Sequence, residues 1–132
     1  MRNMIVVIVG VAAAVAAAVA ASGCSKSKSG TTGPSTTPAA TITISSSTGA
    51  SPKGVTVPQG SQVQFINNDN VSHNMTSDPH PEHNECPEIN TAGFIPAHAS
   101  RQTSNLNTAR TCGFHDHDKP DDKSLWGSIV IQ

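Results

Sequence analysis

The sequence predicts an all-β fold, a small antiparallel sandwich or barrel of about 90 residues. Three observations carry this reading. Apolar and polar residues alternate with period two in several short stretches rich in β-branched side chains. Gly, Pro, Asn or Ser bounds each stretch. After Thr41 no segment sustains an amphipathic helical pattern for three turns. Taken in order, the first stretch is Thr41–Ser45, apolar at Ile42 and Ile44. The second, Val55–Val57, runs into the turn Pro58-Gln59-Gly60. The third, Gln62–Asn67, places Val63 and Phe65 inward. The last, Gly127–Ile131, closes the chain. Between them, residues 68–101 are mostly polar and Pro-rich. An irregular excursion this long in a small β domain is more often functional than decorative.

Ahead of the domain lie two segments of different character. Arg2 supplies a short positive start, and Met4–Ala21 is free of charge. The run ends in Ala21-Ser22-Gly23-Cys24, small residues immediately before a cysteine. This is similar to a bacterial lipobox, with cleavage after Gly23 and lipid on the Cys24 thiol; an uncleaved transmembrane anchor is the alternative. Residues 25–40 are Ser, Thr, Gly, Lys and Pro without apolar periodicity, the composition of a flexible tether. The expected organisation is a signal peptide over residues 1–23, a tether over 24–40 and a folded domain over 41–132. The domain is then expected in the cell envelope, tied to the bilayer through Cys24. Ser25, where an Asp would signal retention at an inner membrane, leans towards the outer one or the cell surface.

Composition excludes several function classes. At 132 residues the chain is too short for a multidomain enzyme. Aromatics make up 3% and Tyr is absent, which argues against a stacking platform for single-stranded nucleic acid. Without Arg2, Lys26 and Lys28, the domain holds five basic residues against nine acidic ones, a net charge of −4. That balance argues against any nucleic-acid partner. There is no Gly-rich phosphate loop and no nucleophile elbow.

The informative excess is six His and three Cys. Apart from Cys24, they fall mainly in three groups. The first is Asn67-Asn68-Asp69-Asn70-Val71-Ser72-His73-Asn74-Met75, the second His80-Pro81-Glu82-His83-Asn84-Glu85-Cys86, and the third Thr111-Cys112-Gly113-Phe114-His115-Asp116-His117. His98 has no partner pattern and reads as a surface residue.

In order and spacing the domain resembles the cupredoxins, the blue copper proteins. The resemblance rests on Val55-x-Val57-Pro58-x-Gly60, a strand, Asn67-x-Asp69 and His73, then Cys112-x-x-His115 and Leu125-x-Gly127-x-Ile129-x-Ile131. It covers nearly all of residues 41–132 and implies a Greek-key β-sandwich holding one copper ion. Residue by residue it implies His73 as first ligand, Cys112 as thiolate and His115 as second imidazole. It also gives Asn67 or Asn68 the task of bridging to the Cys-bearing loop. A thiolate with two imidazoles stabilises both oxidation states of copper in one trigonal geometry, so the implied function is single-electron transfer, to a redox partner not named by the sequence. The usual axial Met is replaced by Leu125, and the loop after His115 is longer and more acidic than in the family.

The remaining residues keep alternatives open. Two Cys outside the cytoplasm pair more often than not. If Cys86 and Cys112 are bridged, the site is built from imidazoles: His73, His115, His117 and His80 or His83. The chain is then a copper-binding or copper-delivery module. His115 and His117 share a face if the chain there is extended, and Asp116 and Asp118 are candidate acceptors for their rings. The same acidic run also reads as a solvated hairpin. His80-x-x-His83-x-x-Cys86 has metal-like spacing, and with Cys112 and His115 imitates a zinc set. Without metal, the scaffold is an interaction domain. We take Cys112 as the copper ligand and the protein as a carrier rather than an enzyme. A small copper enzyme stays open, though no substrate pocket in the sequence supports it.

Overall fold

The computed structural model describes residues 37–132. The signal peptide, Cys24 and most of the tether lie outside the described residues. The domain is a two-sheet sandwich. Its strands are β1 (Ala40–Ser45), β2 (Gly49–Ser51), β3 (Gly54–Val57), β4 (Val63–Asn67), β5 (His73–Ser77), β6 (Gly93–Ile95), β7 (Ser100–Gln102), β8 (Arg110–Asp116) and β9 (Gly127–Ile131). One sheet has the order β2-β1-β4-β7, the other β3-β9-β8-β5-β6. Both are mixed rather than purely antiparallel: β1 runs parallel to β4, and β3 parallel to β9.

The alternating stretches fold as read. Ile42, Ile44, Val63, Phe65 and Ile129 are all fully buried between the sheets. Phe65 and Phe114, one from each sheet, meet edge to face at 5.2 Å, a geometry that suits the aromatic quadrupoles. The polar excursion is more ordered than its composition suggests, because it contains β5, β6 and a short 3-10 turn, Ile89–Thr91. On β5 the inward residues are His73, Met75 and Ser77, so the alternation is real but not one of hydropathy.

The strand β8 corrects the expected copper set. It runs unbroken from Arg110 to Asp116, with Cys112 opposite Ile129 and Asp116 opposite Met75. Successive side chains in a strand point to opposite faces. Cys112, Phe114 and Asp116 therefore face the core, and Gly113 and His115 face outward. Cys112 and His115, three apart, cannot share a metal. Cys112 is instead bonded to Cys86, with Cα atoms 5.8 Å apart and a sequence separation of 26. Among the described residues no thiolate remains, neither for a blue copper centre nor for a thiolate zinc site. Closing a loop of this size constrains the unfolded chain by about 3–4 kcal/mol.

His73 is also corrected, since it faces the core on β5. Its Nδ1 lies 2.7 Å from Asp116 Oδ2 and its Nε2 2.8 Å from Asp69 Oδ2, both within hydrogen-bond distance. Both ring nitrogens are spent on carboxylates, so neither offers a lone pair to a metal. The ring is a strut. Asp69 Oδ2 also accepts from the Ser46 amide at 2.5 Å and the Ser46 hydroxyl at 2.6 Å, on the turn between β1 and β2. Asp116 Oδ1 accepts from the amides of Asn74 and Asp118. The chain Ser46–Asp69–His73–Asp116 thus links one sheet to the other. Asn67 does the adjoining work: its side-chain amide lies within 2.7–3.1 Å of the carbonyls of Val71, Ile95 and Pro96. It holds those loops and not the Cys-bearing strand. Met75 and Leu125 are both buried in the core.

The hydrogen bonds from Ser46, together with the His73 ring, hold the Asp69 carboxyl far below the ordinary carboxylate range. A depressed carboxyl stabilises the fold above its unfolded pKa of about 4, and that contribution is lost as pH falls through the folded value. Stability in urea should therefore drop as pH falls below about 4. Asp69→Asn should flatten that slope and cost about 1–2 kcal/mol at neutral pH, after allowance for partial exposure. An unchanged slope in the variant would assign the acid sensitivity elsewhere.

Candidate metal centre

The outward face of β8 carries the site. His115 stands opposite Thr76 of β5. The ladder continues one step past β8, where the His117 amide donates to the Asn74 carbonyl at 2.7 Å. His117 therefore lies on the same outer face as His115. The segment after β5 folds back over them. It brings His80, which is exposed, and His83, which is half-buried, above a His115 that is fully buried. Four imidazoles gather there. His83 lies 5.1 Å from His115 and 4.9 Å from His117 between ring centroids, and His80 lies 5.2–5.6 Å from the other three.

Fixed partners set the tautomers. His83 Nδ1 donates to the Ser77 carbonyl at 2.9 Å, so its Nε2 carries the lone pair. His115 Nδ1 lies 2.6 Å from Asp78 Oδ1, and the carboxylate accepts its proton. Its Nε2 points the other way, with the Thr76 hydroxyl 3.5 Å distant. His83 Nε2 accepts from His117 Nδ1 at 2.9 Å. An imidazole aimed by a carbonyl or carboxylate behind it is the usual state of a metal-ligating His. Burial lowers the pKa of His115 against the opposing pull of the Asp78 carboxylate. The ring is neutral at neutral pH, and its lone pair is available.

One nitrogen from each of His80, His83 and His115 lies within 4.8 Å of the others. Metal–nitrogen bonds of about 2.0–2.1 Å require nitrogens about 3.3 Å apart, so the rings would draw in by roughly an ångström. The donor set is imidazole only, borderline in softness, and suits Cu(II) or Zn(II). The structure thus brings together His80, His83, His115 and His117. Cys86, Cys112 and His73 stay out of the cluster, and His98 bonds Asn70 elsewhere on the surface.

Asp78 is the residue that sequence reasoning missed. It sits in Ser77-Asp78-Pro79-His80, where nothing in the local pattern marks it. Its place follows from register: the Asp78 amide donates to the Gly113 carbonyl at 3.1 Å. The carboxylate lies directly over Gly113, where an added Cβ would collide with it. A glycine is what lets Asp78 reach His115. Asp116, expected to orient an imidazole, does so for His73 on the inner face, and Asp118 is exposed. Trp126 stacks beside His115 at 5.4 Å, with its indole N–H on the Pro120 carbonyl and the Lys123 ammonium 3.3 Å above its ring. A cation against the indole opposes its oxidation, which fits packing rather than electron conduction.

No family model and no curated protein sequence matches this chain. Solved structures do. The chain is similar to an amicyanin variant in its Cu(I) form, with 17% identity over 70% of this chain and 80% of that one, at a TM-score of 0.53. A second amicyanin variant, in its reduced state, has 15% identity with the same coverage and a TM-score of 0.55. Oxidised plastocyanin from Dryopteris crassirhizoma has 16% identity over 70% of this chain and 99% of that one, at a TM-score of 0.54. These likenesses show the fold, which is that of a cupredoxin-like β-sandwich.

Proposed function

We propose that this domain binds one copper(II) ion through the imidazoles of His80, His83 and His115, with His117 as a fourth ligand. The single observation that carries the reading is the convergence of these rings on the outer face of β8, with His83 and His115 aimed from behind by Ser77 and Asp78. The choice of copper draws further support from the Cu(I)-form amicyanin among the similar folds. With His117 on His83 in the absence of metal, an arriving ion takes the His83 lone pair and displaces that N–H.

An all-imidazole site favours Cu(II) and reorganises more on reduction than a thiolate site does. The role is therefore copper binding and delivery ahead of fast single-electron transfer, and a binder rather than an enzyme. The lipobox-like Ala21-Ser22-Gly23-Cys24 supports a place at the cell envelope, held to the bilayer by Cys24 and exchanging copper with a protein partner.

The test is an absorption and calorimetric titration of the purified full chain with Cu(II). A faint ligand-field band and one tight equivalent are expected, with binding lost in His115→Ala and unchanged in His98→Ala. An intense thiolate-to-copper band would return Cys112 to the metal, and absence of stoichiometric binding would make the scaffold an interaction domain. Asp78→Asn should weaken copper binding by about 10–100-fold while leaving the fold intact. Gly113→Ala, which crowds the Asp78 carboxylate, should do the same and lower stability by about 1–3 kcal/mol.

A further inference from the structure

The disulfide joins the two halves of the site. His80 and His83 come from the segment that ends at Cys86, and His115 and His117 from the end of the strand that holds Cys112 and the residue just past it. Each cysteine stands three residues from a histidine of the cluster, yet both cysteines are buried in the core and lie outside the group of converging imidazoles. The segment from Pro79 to Pro87 has no strand of its own among the described residues. It is held by the Glu85 amide on the Asp78 carbonyl, Glu85 Oε2 on the Gly113 amide, the Cys86 amide on the Ser77 hydroxyl, and the covalent bond. His83 adds bonds from its ring to the Ser77 carbonyl and from Asn90 to its own carbonyl; these hydrogen bonds range from buried to exposed and are individually modest, whereas the disulfide is covalent.

We infer that the Cys86–Cys112 disulfide is a positioning element of the metal site, so that disulfide and metal stabilise each other. The inference rests on the four-imidazole reading above. With the bond intact, His80 and His83 are already near His115 and His117, and the ion need not meet the entropy of ordering the segment. Without it, that cost falls on metal binding. Linkage makes the effect reciprocal: whatever factor the disulfide adds to metal affinity, the metal adds to the resistance of the disulfide to reduction. A tenfold gain corresponds to about 30 mV for this two-electron couple.

The test compares the full chain with its Cys86→Ala/Cys112→Ala variant, each titrated with Zn(II) against a competing chelator. Zn(II) is chosen because it neither oxidises thiols nor is itself reduced. The variant is expected to keep its β-sheet circular dichroism and to lose at least tenfold in Zn(II) affinity. A folded variant with unchanged affinity overturns the inference alone. No Zn(II) or Cu(II) binding by the unaltered chain overturns the site reading, and this inference with it. A second measurement serves if the variant does not fold: reduction of the native disulfide by a water-soluble phosphine. There the phosphine takes up the oxygen of water, becomes the phosphine oxide, and two thiols form. Bound Zn(II) should slow this reduction at least tenfold in the native chain and leave it unchanged in His80→Ala/His83→Ala. Equal rates with and without Zn(II) in the native chain would overturn the coupling.

Discussion

A strand has two faces, and β8 is a strand along its whole length. That constraint divides the chemistry of this domain. The inner face of β8 carries Cys112, Phe114 and Asp116 into the core, where they make the disulfide, the aromatic contact with Phe65 and the acceptor for His73. The outer face carries Gly113 and His115, and the ladder extends it to His117. Had the strand ended at Cys112, the chain could have turned and brought sulfur and imidazole to one point. Because it continues, the two belong to different structures.

Each face then recruits its own partners. Inside, the fully buried His73 ring has a carboxylate against each nitrogen, so neither nitrogen is left buried without a partner, which would be costly. The Ser46–Asp69–His73–Asp116 chain removes that cost and ties the two sheets together near one end. Outside, the excursion after β5 covers His115, fills the face of the sheet with imidazoles and supplies the groups that aim them. The outer cluster is exposed at His80 and buried at His115, whose pKa that burial lowers.

The expected copper set failed for a reason visible in the residues. His73, Cys112 and His115 stand in the order the resemblance requires, but order does not encode which face a side chain takes. The strands with clear hydropathy alternation, β1, β3, β4 and β9, were legible because Ile, Val and Phe sit at every second position. β5 and β8 were not legible as strands, because on each inward face the apolar residue, Met75 or Phe114, is flanked by His73 and Ser77 or by Cys112 and Asp116, which break the hydropathy alternation. Asp78 was invisible for a further reason: its role exists only through its register with Gly113, on a strand far away in sequence.

The sequence by itself determined the β class, the inward set Ile42, Ile44, Val63 and Phe65, and the concentration of His and Cys in three local groups. Composition and period-two patterning suffice for these, because they reflect local preference and burial. Only the tertiary structure decided that Cys86 and Cys112 are joined, that His73 is a strut and that His80, His83, His115 and His117 converge. Those outcomes depend on strand register and on which face each residue takes. Register is set by pairings between segments distant in the chain, and no local pattern carries it.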